Sequence, residues 1–553
     1  MSTDYSRRAI LRASAAAAVA AAAVPSLAAC GAGKSGTTSA SNAGKQLAPW
    51  PTYTPVKGLN PDFPGTAAGV QDTFLHYPQN LVQSVPAKPG DGSTVKVMMV
   101  TYGAPPKGPD ANQLWKAVND AAGVDIELTM VADADFVVKY STMMAAGDLP
   151  DIMMLGLYPL PNQAQFIQAK CADLTEYLSG DAGAKNYPNL AAIPGFTWDA
   201  MGRVGGRIYA VPTNRPRLGN SFYANSDKFT QASIWRPTVG GLKKDDLTKG
   251  LQTLNAKGHF ALGTSTAANF GYLSHAGVHG APNLWQLSGG AFTTTYGTDE
   301  FKASVATMAD WFGKGLYDPG ALTTSTVQCK SYFQNGTYLS DTDGFGAFTS
   351  FATTMGSTST VDFVRPYDAG TAPTPWFASG YFGYTALKQA PPARIKMLLN
   401  VLNFFAAPFG SKEYELINYG IEGVHFTRGK DGGPSVPTDL GKVENNVNLP
   451  FKYIAAPPLV NYIPGQPEAA KRCYQAQMDI VPKGVADPSL GIQSPTFNKK
   501  WPTLLQLIDD SVNDIVTGKQ PVSSWDGVVK SWKSQGGDAI AAELAAEYGK
   551  LHS

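Results

Sequence analysis

TVKVMMVT, Thr94 to Thr101, is a short run rich in β-branched residues that follows the turn-forming PGDG of Pro89 to Gly92. Such a run reads as a buried strand. Downstream, Asp110 is an N-cap type of residue, and Leu114, Trp115 and Val118 recur at helical spacing behind it. VDIELTMV, Val124 to Val131, alternates like a second strand. Asp135 then opens a second helix bearing Phe136, Tyr140, Met143 and Met144, which Gly147 ends as a C′ residue. DIMML, from Asp151, is the third strand. Strand, helix, strand, helix, strand at this spacing predicts right-handed crossovers, a parallel sheet and an α/β fold. Ligands of open α/β sheets lie beyond the carboxyl ends of the strands. That rule nominates the loops Tyr102 to Pro106 and Gly156 to Pro161, with Tyr158 as the residue of interest.

Upstream of this unit, SRRAILR (Ser6 to Arg12) precedes an uncharged, alanine-rich run from Ala13 to Ala29 that ends in LAAC at Cys30. A positive segment, a short apolar stretch and small residues before a cleavage point read as a secretory signal rather than a membrane span. The stretch resembles a twin-arginine export signal, and Leu27 to Cys30 resembles a bacterial lipobox, which implies lipidation of Cys30 and attachment to the outer face of the cell membrane. GAGKSG, Gly31 to Gly36, mimics the end of a phosphate-binding loop, but the glycine required five residues before Gly33 is Ala28. Its Gly, Ser and Thr content fits a flexible tether over 30–49. Trp50 to Gly90, rich in proline and without sustained periodicity, reads as an extended arm along the surface.

Across 553 residues, 44 basic and 43 acidic side chains nearly balance, so no nucleic-acid surface or polybasic membrane patch is indicated. Behind the signal, Cys171, Cys329 and Cys473 stand far apart with no CxxC spacing, and no metal or organic cofactor is expected. A mature chain of roughly 500 residues is too long for one core and favours two lobes or more. At the far end, Leu504, Leu505, Ile508, Val512, Ile515 and Val516 form one helical stripe, closed by Gly518 and Pro521. A second stripe of Trp525, Val528, Val529 and Trp532 precedes a break at Gly536-Gly537 and a last alanine-rich helix.

These motifs stand in the order of a known family. AGDLPDIMML (Ala146 to Leu155), GGRIYAVPTNRP (Gly205 to Pro216), FQNGTYLSDTDGFGAF (Phe333 to Phe348) and the tail Asp514 to Ile540 each resemble segments of the family 1 extracellular solute-binding proteins. The third lacks the methionine usual there. YGIEGVHFT, Tyr419 to Thr427, resembles an element of the large lipoprotein subgroup associated with oligosaccharide uptake. The matches run from about residue 90 to the C-terminus. The resemblance implies a two-lobed flytrap of the periplasmic-binding-protein type II, with a central sheet in each lobe and interleaved chain crossings. It further implies a monomer that hands an oligosaccharide or other small sugar to the permease subunits of an ABC importer. By analogy, 91–213 with 361–407 would form lobe 1, and 214–360 with 408–553 lobe 2.

Sugars offer flat C–H faces and rings of hydroxyls, so their sites pair aromatic platforms with bidentate polar groups. Candidates on loops are Asn214, Arg215 and Arg217 after RIYAVP, and Phe345 and Phe348 in DGFGAF. Trp376 and Tyr381 belong to the crowded PTPWFASGYFGY (Pro373 to Tyr384); Trp285 and Trp501 are further candidates. Arg215 and Arg217 together would suit a uronate carboxylate. Glu422 and His425, three residues apart, could be an acid and base pair, a metal half-site or scaffolding. Gly420 and Gly423 keep them off one helical face, which removes the metal geometry and leaves hydrogen-bonded scaffolding or ligand contact. A secreted carbohydrate-active enzyme is the alternative. Its two carboxylates would have to come from pairs such as Asp245-Asp246 or Asp509-Asp510, which read as solvated, and neither G-x-S-x-G nor H-E-x-x-H occurs.

Overall fold

In the computed structural model the described residues are 40–551, apart from 357, 435 and 446–448. The twin-arginine and lipobox segment, Cys30 included, lies outside them. Residues 40–551 form two lobes.

The first lobe is built on β1 (Thr94–Thr101), β2 (Asp125–Ala132), β3 (Ile152–Leu155), β4 (Ala210–Asn214) and β10 (Tyr381–Leu387), in the order β2-β1-β3-β10-β4. The expected strands β1, β2 and β3 pair in parallel, with Val95 opposite Ile126 and Val97 opposite Ile152. β10 is inserted antiparallel between β3 and β4. The helix Gln113–Ala122 is capped by Asn112, which accepts the Trp115 N–H at 2.9 Å, and Asp110 falls in a preceding turn instead. Gly123 and Gly147 end the two helices with φ of 68° and 76°, the left-handed stop that glycine takes without strain.

The second lobe holds a small antiparallel sheet, β5 (Asn220–Asn225) between β8 (Ser340–Gly344) and β9 (Val361–Phe363). Beside it lie the hairpin of β6 (Trp285–Ser288) and β7 (Ala291–Thr294) and the helices Asp299–Gly313, Pro495–Val516, Trp525–Trp532 and Asp538–Leu551. Their stripes bury Trp311, Leu504, Ile508, Trp525 and Trp532 in one core. Gly536, with φ 154°, breaks the helical path between Trp525–Trp532 and Asp538–Leu551, where the sequence places the break.

Long-range pairing moves three of the expected boundaries. β9 belongs to the second sheet, so the chain re-enters lobe 1 at β10 and not at 361. The segment after 408 stays with lobe 1, because Ile417, Phe451, Tyr453 and Ile454 are buried in its core. Residues 40–49 are docked rather than free, since Asn42 is buried and bonded to both lobes.

The arm crosses between the lobes twice. It pairs with lobe 1 at Pro51 and Gly180, runs to lobe 2 where Phe63 stacks on Tyr474 at 5.1 Å, and returns to lobe 1 where Val82 pairs with Ser411. Phe74 and Tyr77 pack against Phe409 and Tyr462 on the way. At the junction, Asn214 donates to Thr197 Oγ1 at 3.0 Å and accepts the Leu459 N–H at 3.0 Å, tying two chain crossings together.

Candidate functional site

The carboxyl end of β3 and the amino end of β10 lie at the same edge of the lobe 1 sheet, because the two strands run antiparallel. This edge forms one wall of a cavity of about 490 Å³ whose other wall comes from residues 487–501 of lobe 2. Gly156 turns the chain after β3 with φ 69° and lets its backbone approach the Tyr384 ring, which a Cβ would strike. Gln163 donates its amide Nε2 to Tyr384 Oη at 2.7 Å, while its buried Oε1 has no partner among the described residues. Tyr158, at the cavity edge, donates its hydroxyl to Asp133 Oδ1 at 2.8 Å.

Across the cleft, Phe497 and Trp501 sit one helical turn apart on Pro495–Val516 and stack at 4.7 Å and 24°. Asp487 accepts the Ser489 N–H and hydroxyl at 2.9 and 2.8 Å, and burial raises its carboxyl to about 6. Burial, with Asp487 opposite, pushes the Tyr381 hydroxyl up to about 12. Tyr381, Phe382, Tyr384, Phe497 and Trp501 thus supply apolar faces, and Gln163, Asp487, Gln493 and Asn498 supply hydrogen-bonding groups. A second cavity of about 530 Å³ runs into lobe 2 behind Trp501 and Leu284, which line both. Its walls include Phe222, Tyr272, Trp376 and Asp509, the last raised to about 6 chiefly by burial.

Of the residues nominated from sequence, Tyr158, Tyr381 and Trp501 line the cleft, and Trp376 lines the cavity behind it, with its indole N–H bonded to the Ala281 carbonyl at 2.9 Å. The others lie elsewhere. Trp285 is core, packed on Trp532 at 5.9 Å. Phe345 and Phe348 are core too, against Phe363 at 5.1 and 4.5 Å. Asn214 spends its amide on the lobe junction. Arg217 donates to the Ala68 carbonyl of the arm at 2.9 Å and lies over Phe377 at 4.3 Å, so the expected pairing of Arg215 with Arg217 is not made at the cleft. Arg215 lies over Phe382 at 4.6 Å, on the lobe 1 edge.

Glu422 pairs with Arg428 at 2.9 Å on the surface. His425 is buried, accepts the Ile421 N–H on Nδ1 at 3.0 Å and donates from Nε2 to Glu444 Oε2 at 3.1 Å. Glu444 in turn accepts the Gln113 N–H at 2.7 Å, at the start of the helix Gln113–Ala122. Both are scaffold contacts. Sequence reading missed Gln163, Tyr384, Asp487 and Phe497. The strand-end rule that nominated Tyr158 covers Tyr384 once β10 is known to be antiparallel, but nothing local marks Asp487.

Among known proteins, the polygalacturonan/rhamnogalacturonan-binding protein YtcQ of Bacillus subtilis is 22% identical over 480 residues, covering 83% of this chain and 92% of the relative. Lipoprotein LipO of the same organism is 22% identical over 496 residues, covering 83% and 93%. Among solved structures, the HMO binding ABC-transporter associated solute binding protein of Bifidobacterium longum infantis superimposes with a TM-score of 0.61 at 15% identity, covering 83% of this chain and 99% of that one. The two-lobed α/β architecture is therefore that of the type II periplasmic binding proteins. The family described as bacterial extracellular solute-binding protein matches residues 113–404, more than half of the sequence, and the chain belongs to that family.

Proposed function

We propose that this protein is the carbohydrate receptor of an ABC importer, capturing an oligosaccharide between its lobes and presenting it to a separate membrane permease. The observation that carries the reading is the cleft itself, where Tyr381, Phe382, Tyr384, Phe497 and Trp501 line one cavity with Gln163, whose amide oxygen has no partner among the described residues. Aromatic faces cover the C–H faces of sugar rings, while amide and carboxylate groups take their hydroxyls. The names of YtcQ and of the Bifidobacterium protein support it, since one binds a polysaccharide and the other is associated with an ABC transporter.

The receptor acts as a monomer, exported through the twin-arginine-like leader and held at the outer face of the cell membrane by a lipid on Cys30. The alanine-rich run and lipobox-like LAAC support this reading. Among the described residues no helix is long and apolar enough to cross a membrane. The leader would end at 29, the free tether at 39, and the lobes would exchange chain near 215, 378 and 457.

The test is a calorimetric titration of the purified chain with a panel of plant, bacterial and host oligosaccharides, followed by analysis of the sugar. Saturable binding with the sugar recovered intact is expected, weakened by Trp501→Ala. New reducing ends would replace the receptor with the carbohydrate-active enzyme reading, and no binding by any member would overturn the carbohydrate assignment.

A further inference from the structure

Two cations lie near one Tyr453 ring at the lobe 1 edge of the cleft, and neither has a carboxylate partner among the described residues. Arg215 follows β4 at its carboxyl end, and its guanidinium lies 4.6 Å from the Phe382 ring centroid and 5.6 Å from that of Tyr453. Lys452, on the short helix Phe451–Ile454, places its Nζ 5.6 Å from the same Tyr453 ring. Phe382 and Tyr453 stack at 4.7 Å, and Tyr102, which follows β1, closes the shelf at 6.2 Å from Phe382 and is 47% exposed. Phe382 also lines the cleft, so the shelf adjoins the cleft wall through this ring.

The electrostatics of this pair are unbalanced. Lys452 is drawn down to about 8 by burial and by Arg215, with no acidic group among the described residues offsetting them. Burial lowers Arg215 too, offset only by the tyrosines Tyr453 and Tyr102. Asp133, the acid on the neighbouring loop, is engaged by the Tyr158 hydroxyl. Removing two like charges from water beside each other is costly, and the aromatic faces return only part of that cost. An anion seated against this shelf would supply the missing charge, and a guanidinium with an ammonium beside a flat aromatic shelf matches the carboxylate and ring face of an acidic sugar.

We propose that Arg215 and Lys452 form a carboxylate subsite at the cleft edge, so that the captured carbohydrate is a uronate-bearing oligosaccharide. The inference rests on the carbohydrate reading of the cleft. Lys452 takes the place that the sequence had offered to Arg217, which the arm occupies instead.

The experiment titrates the full mature chain with oligosaccharides released from pectin, alginate and glucuronate-containing polymers, each alongside its carboxyl-reduced neutral counterpart. In at least one pair the acidic member should bind on the order of tenfold or more tightly. Lys452→Met and Arg215→Gln should each abolish that preference while leaving the neutral counterpart's affinity within about twofold, with Arg215→Lys recovering part of it. A cooperative melting transition at or above the parent's temperature would show that the variants fold. Neutral members binding as well as acidic ones, or a preference that survives both variants, would overturn the subsite and leave the carbohydrate receptor standing. Failure of every acidic and neutral sugar to bind would overturn both.

Discussion

Glu547, on the last helix, accepts the backbone N–H of Asn42 at 2.7 Å and the hydroxyl of Ser41. Asn42 meanwhile donates its side-chain amide to the Arg203 carbonyl and accepts the Gly206 N–H, both at 2.9 Å. One buried asparagine therefore joins the C-terminal helix of lobe 2 to the Arg203–Arg207 turn of lobe 1. Gly202, Val204 and Leu544, beside this clasp, line the cleft. Glu547→Ala leaves a buried N–H without an acceptor and should lower unfolding free energy by about 1–3 kcal/mol in urea titrations, with Glu547→Gln costing less.

The parts of the fold that follow local rules were legible. The apolar runs of β1 to β3, the helical stripes, and Gly123 and Gly147 as left-handed stops are all visible within about fifteen residues of chain. What escaped was set by distant partners. β10 joins the first sheet between strands more than 160 positions earlier, and nothing in YFGYTAL states which neighbours it takes. The same limit governs the site. Trp285 and Trp501 look alike in sequence, but packing on Trp532 inside the core takes the first, while the second lines the cleft. Arg217 looked available because its partner, the Ala68 carbonyl, lies 149 positions away.

His425 is fixed on both ring nitrogens, and its Glu444 partner also holds the first N–H of the helix Gln113–Ala122. His425→Ala should orphan the Ile421 N–H and one Glu444 oxygen, lowering stability by about 1–3 kcal/mol. Glu422→Gln breaks an exposed pair with Arg428 and should cost less than about 1 kcal/mol. Calorimetric affinity for the captured sugar should stay unchanged in both variants, because neither residue reaches the cleft.

Gly156 and Gly147 offer a matched comparison. Both hold positive φ, 69° and 76°, but a Cβ at Gly147 meets open space whereas one at Gly156 meets the Tyr384 ring. Gly147→Ala should show strain alone, about 1–2 kcal/mol. Gly156→Ala should cost more, since Tyr384 must move and give up its hydrogen bond from Gln163. Only the second variant should weaken sugar binding, read by titration calorimetry at matched folded fractions.

Asp487 ties stability to pH with a definite sign. Burial raises its carboxyl from 3.8 to about 6, above the value it takes in the unfolded chain. Between about pH 4 and 6 the native state therefore holds the proton more tightly than the unfolded state, and its contribution to stability falls as pH rises through that window. Above it, a buried carboxylate remains, eased only by the Ser489 N–H and hydroxyl. Asp487→Asn retains an acceptor for Ser489 and removes the charge. Relative to the parent it should gain on the order of 2 kcal/mol at pH 7.5, and the two should converge towards pH 4. Paired urea titrations across pH 4 to 8 check this, and parallel curves for the two proteins would show that Asp487 does not carry the pH dependence.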